Sequence, residues 1–270
     1  MKKNFFISLF FIFTQTKLFA VFIGAGAHYP DGYYLINTLT SYKAEVLTDS
    51  KGKVINNDFD LSHTQLVTQG FYYTGNLVYL VTIPLERKEL GLFESTKYGL
   101  GDSYLGIGYF LPINSINILP ILQVKFPLGN FNKNDQNNIG TGTYSVHPEL
   151  YINKMFPSFM LDASIEYTIN FTNGETNIKM GNRLNLETVF AYIYSTDIMF
   201  GPSILYTHSK HQKLNGNSIH GTNTHNLFIG ADILYSINKK TKLIFNLMKD
   251  TQSKNSPKGT TSSFLFIYSF

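Results

Sequence analysis

Leu161-Asp-Ala-Ser-Ile-Glu-Tyr-Thr-Ile-Asn-Phe171 alternates without a break. Its odd positions carry Leu161, Ala163, Ile165, Tyr167, Ile169 and Phe171; its even positions carry Asp162, Ser164, Glu166, Thr168 and Asn170. A period of two places each set on one face of a β-strand. Arg183–Tyr194 repeats the pattern with the parity reversed: Leu184, Leu186, Thr188, Phe190, Tyr192 and Tyr194 stand against Arg183, Asn185, Glu187, Val189, Ala191 and Ile193. Tyr144–Lys154 sets Tyr144, Val146, Leu150 and Ile152 against Ser145, His147, Glu149 and Asn153. A strand of about 11 residues tilted about 40° rises roughly 28 Å, enough for an apolar band of about 25 Å.

Working outward, the chain reads as twelve strands: Tyr33–Leu47, Phe59–Tyr73, Leu77–Arg87, Asp102–Leu111, Asn117–Pro127, Thr143–Lys154, Phe159–Phe171, Met180–Ser195, Ile198–His208, His225–Ile237, Thr241–Lys249 and Thr261–Phe270. Phe59–Tyr73 and Leu77–Arg87 alternate poorly. Tight turns, such as Thr74–Asn76 and Thr196–Asp197, alternate with longer connections: Thr48–Asp58, Lys88–Gly101, Leu128–Gly142, Thr172–Lys179, Ser209–Thr224 and Asp250–Thr260. Short periplasmic turns alternating with longer outer loops are the pattern of bacterial outer-membrane barrels. The expected fold is all-β, an antiparallel up-and-down transmembrane β-barrel of outer-membrane type.

Composition agrees. Charged residues are 15 % of the 270, cysteine and tryptophan are absent, and 18 tyrosines accompany 23 phenylalanines. Mean hydropathy is −0.05, too apolar for disorder, yet no run approaches the ~20 apolar residues of a spanning helix. Little here suits a nucleic-acid binder, a helical transporter or a cytosolic α/β enzyme. The formal charge of +4 shrinks on inspection. Lys2 and Lys3 precede the apolar stretch Phe5–Phe13 and small residues from Ala20 to Ala27, the layout of a secretory signal. Cleavage is expected after Ala20, or as late as Ala27 because Ala25-Gly26-Ala27 fits A-x-A. The remaining chain, 21–270, is one barrel domain. Its last strand carries Phe264, Phe266, Tyr268 and Phe270 on one face and ends on Phe270. That arrangement resembles the insertion signal read by the barrel assembly machinery, so the expected partners are this machinery, outer-membrane lipid and a small solute.

Gly99-Leu-Gly-Asp-Ser-Tyr-Leu-Gly-Ile-Gly-Tyr109 resembles a G-L-G-D-x-x-L-G-x-G-Y signature. Val124-Lys-Phe-Pro-Leu-Gly-Asn130 resembles its K-x-P-x-G-[DN] segment, with Leu128 where threonine is more frequent, and Gly140-Thr-Gly142 its following G-T-G. Tyr29-Pro-Asp-Gly-Tyr33 and Tyr42-Lys-Ala44 fit a first hairpin. These stretches are similar to the MetA-pathway of phenol degradation family. The resemblance implies an outer-membrane barrel with a role in uptake of hydrophobic or aromatic compounds, and it supplies no binding residues.

Parity turns Gln123, Lys125, His147, Glu149, Asp162, Glu166, Arg183, Asn185, Glu187 and Asp232 inward. Charges inside a narrow barrel need partners or water, so Lys125 and Arg183 are expected to pair with Glu149, Glu166 or Glu187. Twelve strands lie between filled eight-stranded barrels and open porins, which leaves a narrow pore and a closed barrel both open. Gly106 and Gly108 share inward parity and make room for bulky neighbours; without a following helix they are not a phosphate loop. Four histidines, His208, His211, His220 and His225, crowd one outer loop and are weak metal candidates, since no acidic or sulfur ligand accompanies them. His208-Ser209 lacks the H-x-S-N-G spacing of outer-membrane phospholipases, and neighbours on a strand point to opposite faces. The expectation is therefore a non-enzymatic, cofactor-free passive channel for a small hydrophobic or aromatic solute. A non-transporting surface barrel is the competing class.

Overall fold

The structure, a computed structural model, describes residues 22–91, 94–135 and 137–270. The expected signal, 1–20, lies outside the described residues. Twelve strands form one closed antiparallel barrel: β1 Gly32–Thr48, β2 Leu61–Thr74, β3 Leu77–Leu90, β4 Ser103–Tyr109, β5 Ile116–Phe126, β6 Ser145–Met155, β7 Phe159–Asn170, β8 Arg183–Ile193, β9 Ile198–Ser209, β10 Thr224–Ser236, β11 Thr241–Lys254 and β12 Pro257–Ser269. Each pairs with its sequence neighbour. β12 closes on β1, from Tyr34 opposite Ser269 to Leu47 opposite Pro257, with a bulge between Ala44 and Val46. Closure leaves no free sheet edge, the condition for crossing hydrocarbon with strands.

Two connections differ from the sequence reading. Asp250–Thr260 is no loop: β11 and β12 run on into it and meet at Asn255-Ser256, where Asn255 takes φ 50°. Within Lys88–Gly101, β3 continues to Leu90 and Ser95–Leu100 folds back on Leu85–Leu90. Both extensions rise beyond the apolar band, where neither strand face need be apolar.

The outer face is the apolar one. Leu66, Val81, Ile83, Leu105, Ile107, Leu122, Ile165, Ile204, Ile229 and Leu247 all lie exposed around the barrel. A continuous belt far exceeds the few hundred Å² of apolar patch a soluble monomer shows. Toward the short-turn end the belt becomes aromatic: Tyr33 stacks on Tyr72 at 4.7 Å, Phe159 on Phe190 at 5.1 Å, and Tyr192 meets Phe200 edge-on. Toward the loop end Phe126 meets Tyr144, and Tyr206 meets His225. Two aromatic girdles flanking an aliphatic band mark the membrane interfaces of such barrels.

The interior is filled in zones. Ile36, Val189, Leu234, Ile244, Leu265 and Ile267 cluster at the short-turn end. Tyr73, Val78, Leu80, Leu119 and Ile121 line one wall. That wall needs the inward glycines: a Cβ on Gly108 would lie 2.8 Å from Val78 Cγ1, and one on Gly106 would lie 3.0 Å from Leu80.

Candidate functional site: a two-faced cavity inside the barrel

The segment before β1 folds back into the short-turn mouth. Ile23 is fully buried in the apolar cluster there. The amide of Gly24 donates to Asp162 Oδ2 at 2.8 Å, and that of Gly26 to Asp162 Oδ1 at 3.4 Å. Asn153 Nδ2 completes the carboxylate's shell at 2.8 Å. Gly26 packs so closely that a Cβ there would sit 3.1 Å from Asn153 Cβ. One buried carboxylate thus anchors the segment by its backbone, as an anion caps a run of free N–H groups.

Above this plug lies a cavity in the barrel interior. Phe22, Phe71, Val78, Leu80, Leu119 and Ile121 form one wall. Glu149, Glu166, Glu187, Gln123, Asn185 and Tyr151 form another. On the polar wall Glu149 and Glu166 are register partners on β6 and β7. Glu149 accepts from Gln123 Nε2 at 2.8 Å and from the Tyr151 hydroxyl at 3.1 Å. Glu166 accepts from Thr168 at 2.9 Å and Asn185 Nδ2 at 3.2 Å, and its Oε1 lies 2.7 Å from His147 Nδ1. His147 Nε2 lies 2.7 Å from Ser145 Oγ.

Nearer the loop end the three quoted glycine motifs are one structural unit. Asp102 of the first accepts the amide of Gly129 in the second at 3.1 Å, and the amide of Thr141 in the third at 3.0 Å. The two glycine loops touch: a Cβ on Gly140 would lie 2.4 Å from Gly129 O. Lys125 Nζ is 3.2 Å from Asp102 and bonds the Thr141 hydroxyl. Sequence reasoning directed Lys125 to the glutamates, and the structure directs it to Asp102. The aspartate was legible as a motif residue but not as a partner, being 23 positions away.

The residues expected to face inward, Lys125, His147, Glu149, Asp162, Glu166, Arg183, Glu187 and Asp232, all lie in the barrel interior. His147, Glu149 and Glu166 come together; Asp162 serves the plug; Asp232 takes Asn246 Nδ2 at 2.5 Å. His63, paired with Glu86 at 2.9 Å, and Lys88, donating to Asn138 O at 2.9 Å, belong to the same interior and went unread. Around them both strand faces are polar, with Ser62, Thr64 and Gln65 beside His63 and Arg87 and Glu89 beside Lys88, so parity gave no signal. The loop histidines form two pairs. His208 stands opposite His225 across β9 and β10, and the His211 and His220 rings are 5.6 Å apart. Phe264, Phe266 and Tyr268 share the outer face of β12, and the Phe270 amide donates to Tyr33 O at 3.1 Å.

Barrel closure, the outward apolar belt and the plugged, two-faced lumen define a β-barrel of outer-membrane type. The family described as "Putative MetA-pathway of phenol degradation" matches residues 40–266, and the chain belongs to it. Among solved structures, the COG4313 outer membrane channel from Pseudomonas putida F1 is similar over 90 % of this chain and 97 % of that one, at 14 % identity and a TM-score of 0.82. The CymD monoaromatic hydrocarbon channel is similar over 91 % and 90 %, at 10 % identity and a TM-score of 0.51. The NanC porin is similar over 87 % and 98 %, at 8 % identity and a TM-score of 0.50. At these identities the likeness is one of fold. No curated protein matches the chain in sequence.

Proposed function

We propose that the protein is a gated, passive outer-membrane channel for a small hydrophobic or aromatic solute, exported with residues 1–20 removed. The observation that carries this reading is the apolar cavity wall inside the membrane-spanning barrel. A structural barrel has no reason to keep a cavity lined by Phe71, Leu80 and Ile121 inside its wall. Membership of the family and the likeness to CymD, a monoaromatic hydrocarbon channel, favour an aromatic solute. Ile23 and Gly24 are integral to the plug, which supports cleavage after Ala20 over Ala27; the mass of the mature chain tests that. A channel also suits His208 and Ser209 better than an esterase does, because Ser209 bonds Thr224 at 2.7 Å and the imidazole projects to the opposite face.

The test is uptake of an aromatic hydrocarbon into proteoliposomes. Filling the cavity with Leu80→Trp or Ile121→Trp should reduce uptake severalfold while the barrel still folds. Parent protein that neither takes up the hydrocarbon nor conducts ions would replace this reading with the non-transporting one, which the plugged mouth alone would favour.

A further inference from the structure

The polar wall of the cavity is more elaborate than a solute path requires. Three potential metal-ligating side chains converge there. His147, Glu149 and Glu166 offer ligand atoms that all lie within 4.8 Å of one another, and among the described residues no other group of three does so. His147 and Glu149 share the inward face of β6, two residues apart, and Glu166 faces Glu149 across the β6–β7 ladder. The rigid barrel wall fixes all three.

We propose that these residues form a binding site for a divalent cation of the zinc type. One imidazole with two carboxylates is a donor set such ions accept, and zinc takes it in tetrahedral geometry with a fourth position left open. Each ligand is oriented from behind. Ser145 holds His147 Nε2, which leaves Nδ1 facing Glu166; Gln123 and Tyr151 hold Glu149; Thr168 and Asn185 hold Glu166. Outer partners of this kind fix tautomer and ligand direction in metal centres. Tetrahedral bonds of about 2.0–2.1 Å set ligand atoms roughly 3.3 Å apart, so Nδ1 and Oε1 must part from 2.7 Å and the widest pair must close from as much as 4.8 Å, both by side-chain adjustment.

A second observation also points to a cation. Asn185 is 8 % exposed and lines the cavity beside Glu166. Its Nδ2 serves Glu166, while its Oδ1 has no hydrogen-bond partner among the described residues. A buried, unsatisfied acceptor beside carboxylates calls for a donor or a positive ion.

The experiment is zinc titration of the refolded, chelator-washed barrel by equilibrium dialysis, with metal content read directly. About one zinc ion per chain is expected, and His147→Ala or Glu166→Gln should weaken binding at least about tenfold. The double variant His211→Ala/His220→Ala should bind as the parent does. Heat-modified gel mobility verifies that each variant is folded. Should the ligand variants not fold, cobalt(II) in the parent decides: tetrahedral visible bands displaced by zinc support the site, and their absence overturns it. Parent protein without stoichiometric zinc, or zinc lost from the loop-histidine variant but kept by His147→Ala, also overturns it.

Discussion

The two ends of the barrel interior obey different chemistry. At the short-turn end Ile36, Val189, Leu234, Ile244, Leu265 and Ile267 close around Ile23, as in the core of a soluble protein. From the cavity to the loop end the interior carries His63, Glu86, Lys88, Asp102, Lys125, His147, Glu149, Glu166, Arg183 and Glu187. A wholly apolar interior would be a sealed core, and a wholly polar one a water-filled pore. Here the two meet at the cavity. On the proposed reading, the segment before β1 closes the mouth and the fixed wall selects the solute. Asp162 sits on the boundary: it is 1 % exposed, and its partners include backbone of the plug.

Removing that anchor should break the comparison most visibly. Asp162→Ala deletes a hydrogen bond to Gly24 and a longer one to Gly26, worth ~1 kcal/mol for the shorter alone. That is about a fivefold shift from docked to undocked segment. Single-channel recording should show higher conductance and more frequent opening, and cells should become more sensitive to large antibiotics. Unchanged conductance would mean that Ile23 and its neighbours hold the plug unaided.

The two ends also differ in how legible they were. β7 and β8 were readable because one face meets lipid and the other carries Asp162, Glu166, Arg183 and Glu187, so hydropathy alternates. On β3 the inward Val78 and Leu80 stand between the outward Tyr79 and Val81. Both faces are apolar there, the period of two cancels, and the cavity's apolar wall stayed hidden. Beyond the bilayer the reverse happens: Thr251, Gln252 and Ser253 are polar on both faces, so a strand extension read as a loop. The plug was hidden by a coincidence of chemistry. Ala25-Gly26-Ala27 has the small residues that signal cleavage favours, and small residues are also what lets backbone approach Asn153 and Asp162.

A smaller effect should sharpen the contrast between fixed wall and exterior. Glu166→Ala removes a charge that lines the cavity and leaves Asn185 Nδ2 without that acceptor, and Arg183→Ala removes a charge buried elsewhere in the barrel interior. Ion selectivity, read as a reversal potential in a salt gradient, should shift, as lumen substitutions do in such barrels. Ile165→Ala, one residue away and lipid-facing at 45 % exposure, should leave it alone. Identical selectivity in both inward variants would remove this wall from the conduction path.

The smallest effect belongs to a carboxylate that copies Asp162 outside the barrel. Asp49, in the loop after β1, also accepts two backbone amides, from Lys51 at 2.8 Å and Lys53 at 2.9 Å. The Lys53 amide first, then the Lys51 amide, holds its carboxyl below the usual aspartate range. A depressed folded pKa means that the ordering contribution is complete above the unfolded pKa and disappears as pH falls through the folded one. Amide exchange at Lys51 and Lys53 should therefore lose protection only under acid conditions, and Asp49→Ala should remove that protection at neutral pH. Being solvent-exposed, the group acts on its own turn only, and water compensates most of what the bonds provide. Conductance should not follow. If Asp49→Ala changed conductance as much as Asp162→Ala, burial would not be what separates these two carboxylates, and the division of the molecule into plug, wall and exterior would fail.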